Sequence, residues 1–197
     1  MNIVLIGSGN VATVIGERAQ AGGHSIVQVF SPQMAHARQL AAGLQTTAVN
    51  AYEQITQEAD IYIVALADEA TSQLAQHWKA HNGMVVHTAG ALDMEVLTTV
   101  SKQHGVLYPL QSLLAHQQPL QAIPWLVDAN TAEGMQVITA FAQSLGSLVQ
   151  AATNEERKKF HLAAVLVNNF SNHLFQLAYE YCVANKLPFE LLQPLIA

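Results

Sequence analysis

A glycine-rich turn near the start of the chain is the segment best suited to hold a charged ligand. It reads G-x-G-x-x-A over residues 7–12, directly after an apolar run and before a helical pattern. In that setting Gly7 permits a tight turn, Gly9 lets the backbone approach a pyrophosphate, and Ala12 allows close packing of a helix on a strand. The N–H groups that begin the helix bind the anion without a cationic side chain. The sequence therefore predicts a dinucleotide site at Gly7, Ser8, Gly9, Asn10 and Val11, the alternative being a fold that merely turns tightly there.

The residues after the second apolar run bear on which dinucleotide is preferred. NAD sites carry Asp or Glu at this point for the ribose hydroxyls, whereas NADP sites accommodate the additional phosphate with a nearby Arg. This chain has Ser31, Pro32 and Gln33, with no acid, and Arg38 follows in the next helical pattern. We therefore expect NADP, with Ser31 and Arg38 as candidate phosphate contacts. NAD remains an alternative, and Arg38 also suits a solvated helix surface.

Three further turns collect polar residues at the predicted carboxyl edge of the sheet, where ligands bind in such folds. Ala67, His87 and Thr88 are predicted to contact the cofactor, and Tyr108 and Gln111 are placed to line the same pocket. A structural role is the alternative for each of them, and a helix cap is the simpler role for the turn at Ala67. The histidines show no metal-ligand spacing, so no metal site is predicted.

The elements that must position these residues alternate between short apolar runs and helical patterns. Continuous apolar runs are typical of strands covered on both faces, and their alternation with helices indicates a doubly wound, mostly parallel α/β sheet. A Rossmann domain is therefore predicted over residues 1–152. Its strands are expected at residues 3–6, 26–30, 61–66, 84–87, 106–108, 125–127 and 147–150, and its helices at residues 11–21, 34–44, 69–79 and 132–145.

An all-helical region is predicted over residues 153–197. Thr153 and Glu156 form a capping-box pattern, and a helix of about 30 residues should follow as far as Asn185, which can adopt the left-handed closing conformation. Pro188 then suits the first turn of another helix. Apolar residues repeat along the long helix at intervals of three and four, and we call them the apolar seam: Phe160, Ala163, Val167, Phe170, Leu174, Leu177 and Tyr181.

The opposite face of this helix is almost uncharged, so the helix should be buried on more than one side. It is either the spine of a helical domain or, in addition, a contact between subunits. The short remainder of the chain cannot cover the apolar seam alone. Missing C-terminal residues, a partner subunit, or both are therefore expected.

The composition of the 197 residues narrows the function classes. Charged residues make up 11% and apolar residues 51%, which excludes a disordered chain. The net charge is −6, and the basic cluster at residues 157–159 follows two glutamates, so nucleic acid and membrane surfaces are not expected partners. The single Cys182 fits a reducing compartment, and no signal-peptide pattern precedes the first strand. A cytoplasmic location is expected.

Six segments carry a resemblance to a known family: GSGNVA, ADIYIVALAD, HTAGAL, GVLYPLQS, RKKFHLAAVLVNNFSNHLFQLA and LPFELLQPLIA. Across essentially the whole chain they resemble Rossmann-like proteins with a helical C-terminal domain of unknown function. This family is deazaflavin-dependent-NADP-oxidoreductase-like and similar in plan to pyrroline-5-carboxylate reductase and the 6-phosphogluconate dehydrogenase superfamily. The resemblance implies an NADP-binding domain, a helical domain that forms a homodimer, and a cleft between the domains. It also implies further residues after Ala197.

Three positions depart from what the resemblance implies. Pro32 stands where the family often has Arg, and Ala89 stands where it often has Ser. Val165 occupies the position of the acid/base Lys of related hydroxyacid dehydrogenases. His161, one turn earlier, is the available substitute, because its unperturbed pKa lies near neutrality.

These observations predict that the protein is a reductase that transfers a hydride from NADPH to a small carbonyl or imine substrate. His161 would donate the proton, and Asn168, two turns away on the same helix face, would orient the substrate. The alternative is a dinucleotide-binding sensor or assembly protein without catalysis, which the missing Lys and Ser favour.

Overall fold

The computed structural model describes residues 1–115, 122–146 and 148–196. Their contacts divide the chain into two compact units, Met1–Lys158 and Lys159–Ala197. The division falls within the helix that begins at Asn154.

One eight-stranded sheet forms the frame of the first unit, in the order β3-β2-β1-β4-β5-β6-β7-β8. Neighbouring strands are parallel except β6 and β7, which pair antiparallel. The predicted doubly wound, mostly parallel sheet is therefore confirmed. The strands are β1 (Asn2–Ile6), β2 (Ser25–Phe30), β3 (Thr47–Val49), β4 (Ile61–Val64), β5 (Met84–His87), β6 (His104–Pro109), β7 (Pro124–Ala129) and β8 (Leu148–Ala151).

Both faces of the sheet are covered, which explains why its central strands are continuously apolar. Ile3 and Leu5 of β1 belong to the core on one face, and the intervening Val4 belongs to the core on the other. This follows from the period of two along a strand. The first face packs against α1 (Asn10–Ala21), α2 (Met34–Gly43) and α4 (Ala132–Leu145), and the second contains Leu74 and Trp78.

Two elements of the sheet domain differ from the sequence prediction. β3 was not predicted, because its three residues include the exposed Thr47 and make no continuous apolar run. The helix predicted over residues 69–79 is shorter: α3 (Asp68–Gln73) gives way to a 3₁₀ turn at Leu74–Gln76.

The second unit continues a helix that starts with the predicted capping box. The Thr153 N–H donates to Glu156 Oε2 at 2.9 Å, and the Glu156 N–H donates to Thr153 Oγ1 at 3.3 Å. The helix consists of α5 (Asn154–Ala164), a π-helical segment (Val165–Phe170) and α6 (Ser171–Ala184), and a 3₁₀ helix follows at Phe189–Leu195.

The predicted long helix is therefore present from Asn154 to Ala184, but its centre at Val165–Phe170 is π-helical and not α-helical. A π-helix pairs residues five apart and has more residues per turn than an α-helix. Residues beyond Val165 are consequently rotated from their ideal α-helical positions. The same-face alignment predicted for His161 and Asn168 assumed seven uninterrupted α-helical residues, and the π segment removes that basis.

The end of α6 also differs in detail from the prediction. Asn185 has φ −100°, and Lys186 is the residue in the left-handed region, at φ +56°. The Leu187 N–H donates to the Cys182 carbonyl at 2.9 Å, and the Lys186 N–H donates to the Val183 carbonyl at 3.2 Å. This is the Schellman pattern, in which the residue after the C-cap, here Lys186, adopts the left-handed conformation.

The apolar seam is exposed in the single chain. Val167 is 76% and Leu174 is 63% exposed, and even Phe160 is 38% exposed. The burial predicted for this helix is thus not provided within the described chain. None of the described helices has the length and apolar content needed to cross a membrane.

Candidate functional site

The glycine-rich turn lies where the strand order reverses, because β1 pairs with β2 on one side and with β4 on the other. Gly7 follows β1 and has φ +129°, a conformation that L side chains rarely adopt. Its N–H donates to the Phe30 carbonyl at 2.9 Å, and the backbone of Ala65 leaves no room for a Cβ. Ligands of open α/β sheets bind outside the carboxyl ends of the strands at such a reversal.

Gly9 is required for a different reason. It caps the N-terminus of α1 with φ −83°, which any residue adopts, and a Cβ at this position would meet nothing within 4 Å. Neither conformation nor packing inside the described protein accounts for a glycine here. No described side chain caps the helix start either. The open space lies beside the first N–H groups of α1, where an anion finds hydrogen-bond donors and the positive end of the helix dipole.

A groove of about 510 Å³ runs from this turn between α1 and α2. Two residues of its lining, Asn10 and Ala115, are joined by a hydrogen bond, in which Asn10 Oδ1 accepts from the Ala115 N–H at 3.2 Å. The sequence prediction missed the α2 residues that line this groove. Their spacing of three and four residues, at His36, Gln39, Leu40 and Gly43, indicates that they share one helix face. The groove is lined by Ser8, Gly9, Asn10, Thr13, Glu17, His36, Gln39, Leu40, Gly43, Leu44 and Ala115.

The two candidate phosphate contacts differ in exposure. Ser31 is 5% exposed, and its N–H donates to the Val49 carbonyl at 3.1 Å. Arg38 is exposed on α2, but it is off the face that His36, Gln39 and Gly43 present to the groove. The turn between them, Pro32 and Gln33, brings no carboxylate to the end of β2.

The turns after β4 and β5 lie at the carboxyl edge of the sheet, and their residues also have structural roles. Ala67 is exposed and caps α3, whose first turn carries Asp68 and Glu69, in keeping with the helix-cap interpretation. Thr88 is half-buried, and both its N–H and its Oγ1 donate to the Val64 carbonyl, at 3.1 and 3.4 Å. Thr88 thus joins the ends of β4 and β5.

His87 lies beneath this edge with no exposed surface. Its Nδ1 accepts a hydrogen bond from the Ala89 N–H at 3.2 Å, so the proton of the neutral ring resides on Nε2. Burial lowers the pKa of His87 to about 4, and the positive charge of Arg157 acts in the same direction. His87 is therefore neutral at physiological pH, it accepts the Ala89 N–H through Nδ1, and its side chain reaches no solvent from this position.

The two remaining edge residues, Tyr108 and Gln111, differ in exposure. Tyr108 is 9% exposed and packs in a small core with Leu126 and Ala152. Its burial raises the pKa of the phenol. Gln111 is exposed.

The proposed acid/base residues lie in the second unit. His161 is half-buried on α5, and Asn168 is half-buried in the π-helical segment. The Asn172 Nδ2 donates to Asn168 Oδ1 at 3.0 Å, which fixes the orientation of the Asn168 amide. In the part of the chain that the structure describes, His, Cys, Asp and Glu form no group of three that could hold a metal ion.

Two family profiles match the chain. The profile described as "NADP oxidoreductase coenzyme F420-dependent" matches residues 2–90, and that of "Domain of unknown function (DUF2520)" matches residues 123–197. A search among curated proteins gave no match.

Solved structures resemble the chain over nearly its whole length. A candidate NADP oxidoreductase from Bacteroides fragilis is 35% identical, with a TM-score of 0.91 over 99% of this chain and 77% of that protein. The 1-pyrroline-5-carboxylate reductase of Streptococcus pyogenes is 13% identical, with a TM-score of 0.74 over 100% and 76% of the two chains. The Plasmodium falciparum pyrroline carboxylate reductase, solved with NADP bound, is 10% identical, with a TM-score of 0.67 over 100% and 74%. The two reductases share the fold with this chain.

Proposed function

The chain belongs to the family of NADP oxidoreductases that carry a DUF2520 region, and from that premise we propose that it reduces a small carbonyl or imine substrate with NADPH. The dinucleotide supplies the hydride when it is bound. The protein contributes the binding, the orientation of the reactants and a proton.

Gly9 is the observation that carries this proposal. A glycine with an ordinary backbone conformation and open space at its Cβ has no purpose within the described protein. A pyrophosphate that approaches the start of α1 gives it one, because any side chain would occupy the space of the anion. The phosphates would accept hydrogen bonds from the first N–H groups of α1.

We propose NADP as the preferred dinucleotide. The end of β2 offers Ser31 and no carboxylate, so nothing there repels a ribose phosphate, and Arg38 on α2 supplies a positive charge. The NADP-bound Plasmodium reductase has the same fold, which adds support at the level of the fold alone. Gly7, Ser8, Asn10 and Val11 complete the proposed phosphate-binding turn, and Ala67, His87 and Thr88 shape the strand ends beside it.

His161 and Asn168 are the proposed acid/base and orienting residues. An imidazole can donate a proton near neutral pH, and the fixed Asn168 amide can hold a polar substrate group. Their neighbourhood includes a π-helical segment, an irregularity that is frequent at functional sites.

We also propose that the chain is a cytoplasmic homodimer formed through its long helix. Contiguous apolar surface of this kind marks an interaction site on soluble proteins, and the apolar seam is exposed in the single chain. The free, buried Cys182 fits a reducing compartment.

The test combines binding and turnover of the full chain. NADPH and NADH are titrated by calorimetry, and NADPH oxidation is then followed with a panel of keto and imine substrates for the wild type and His161→Ala. The proposal expects saturable NADPH binding and a turnover that His161→Ala reduces by about 10²-fold or more. Binding without turnover would instead support a non-catalytic dinucleotide sensor, and the absence of binding would refute both functions.

A further inference from the structure

The loop that leaves the carboxyl end of β5 is held by two residues from the start of α5. We propose that this pair, Asn154 and Arg157, positions the nicotinamide half of the dinucleotide site by fixing residues 92–95. The inference rests on the proposed function, and it adds a role for residues that contact the loop and not the cofactor. We call the pair the loop clamp.

The contacts of the loop clamp all reach one short segment. Arg157 Nη2 donates to the Leu92 carbonyl oxygen and, at 2.8 Å, to Asn154 Oδ1. The same Asn154 Oδ1 accepts the Met94 N–H at 3.0 Å, and Asn154 Nδ2 donates to Glu95 Oε2 at 2.7 Å. The pair thus binds backbone groups on either side of Asp93, which restrains the path of the chain and not only a side chain.

The burial of Arg157 distinguishes it from an ordinary surface cation. It has no exposed surface, and among the described residues it is the one Lys, Arg, Asp or Glu in the core. Its Nε and Nη1 have no hydrogen-bond partner in the described part of the chain. Burying a guanidinium with donors left unpaired costs free energy, so stability alone is a poor reason for an arginine here. A requirement for one fixed loop conformation is a better reason.

The charges around Arg157 support a permanently positive side chain. Burial lowers the pKa of its guanidinium, and the negative charges of Asp128, Asp93 and Glu95 raise it again. Burial and Arg157 together keep the neighbouring His87 neutral, and His87 holds the Ala89 N–H at the start of the same loop. The loop after β5 is therefore restrained at its beginning by His87 and further along by the loop clamp.

The topology indicates which half of a dinucleotide this loop would meet. The pyrophosphate site at α1 lies at the reversal between β1 and β4, and a dinucleotide extends across that crevice in both directions. The end of β2, with Ser31, lies on one side and takes the adenosine half. β4 and β5 lie on the other side, so the loop that follows β5 borders the nicotinamide half.

Lys158 provides a matched control at the next position. Its Nζ lies 2.8 Å from Asp93 Oδ1, but both side chains are nearly half exposed. An exposed ion pair of this kind contributes little to stability. It touches the same loop without restraining its backbone.

The experiment compares two ligands on the full chain by calorimetry. NADPH contacts both halves of the site, whereas adenosine 2′,5′-bisphosphate reports on the adenosine half alone. Asn154→Ala and Arg157→Met should each weaken NADPH binding by about tenfold or more, and should leave the affinity for the bisphosphate within about twofold of the wild type. Arg157→Lys should recover part of the NADPH affinity, and Lys158→Met should change neither ligand.

Equal weakening of both ligands, or unchanged NADPH affinity in Asn154→Ala, would overturn the inference while leaving the proposed function intact. A wild type that binds neither ligand would refute the proposed function itself. Asn154 is only partly buried, so its substitution keeps the test available if Arg157→Met does not fold.

Discussion

Gly7 and Ala65 lie so close together that a Cβ on Gly7 would stand 2.2 Å from the Ala65 carbonyl oxygen. The ends of β1 and β4 therefore meet without space for a side chain between them. Gly9, two residues further on, has open space instead. The two glycines of one motif are thus required by different partners: Gly7 by the protein itself and Gly9 by the proposed ligand.

The same substitution should therefore have opposite effects at the two positions. Gly7→Ala should lower the free energy of unfolding by about 3 kcal/mol or more, because a backbone clash adds to the strain of positive φ. Gly9→Ala should leave stability nearly unchanged and weaken NADPH binding by about tenfold. Urea unfolding and NADPH titration of both variants check this. A Gly9→Ala variant that binds NADPH like the wild type would contradict the role given to Gly9.

A second prediction concerns the pH dependence of stability. His87 has a folded pKa of about 4, below the ordinary value of 6.5 for an exposed ring, so the unfolded chain binds the proton first as the pH falls. Its contribution to stability is complete above pH 6.5 and declines from there towards pH 4, by roughly 3 kcal/mol in total.

His87→Asn keeps an acceptor for the Ala89 N–H but does not titrate. Its unfolding free energy, measured by urea denaturation at several pH values, should fall less steeply than that of the wild type between pH 6.5 and 4. Parallel curves for the two proteins would show that His87 does not titrate as described.

A third prediction concerns dinucleotide preference. Arg38 is the proposed cation for the ribose phosphate, so Arg38→Ala should reduce NADPH affinity by about tenfold and leave NADH affinity almost unchanged, since only NADPH carries that phosphate. Lys79→Ala, which removes another exposed cation, should change neither affinity. Equal losses for both dinucleotides in Arg38→Ala would remove Arg38 from the phosphate site.

A fourth prediction concerns assembly. Leu174 is 63% exposed at the middle of the apolar seam, and a glutamate there would place a charge in the proposed interface. Leu174→Glu should convert a dimer to a monomer in sedimentation or light-scattering measurements. Leu148→Glu, at a leucine that is 59% exposed on the edge strand β8, should leave the dimer intact. A wild type that is monomeric at micromolar concentrations would contradict the proposal.

The sequence was sufficient for the features that depend on local pattern. Five continuous apolar runs and two further short segments located seven of the eight strands, and α4 occupies the predicted residues 132–145 because its helical period is unbroken. The spacing of Thr153 and Glu156 identified the capping box, whose two hydrogen bonds need no partner from elsewhere in the chain.

Features that depend on distant residues required the tertiary structure. The antiparallel pairing of β6 with β7, the π-helical segment at Val165–Phe170 and the exposure of the apolar seam have no local signature. Arg157 shows the difference most clearly. Within the sequence it is the first cation of a basic triplet. In the fold its side chain is fully buried and binds the carbonyl oxygen of Leu92, which lies 65 residues earlier in the chain. Local periodicity determines which elements form, but the burial of a charge depends on what the rest of the chain packs around it.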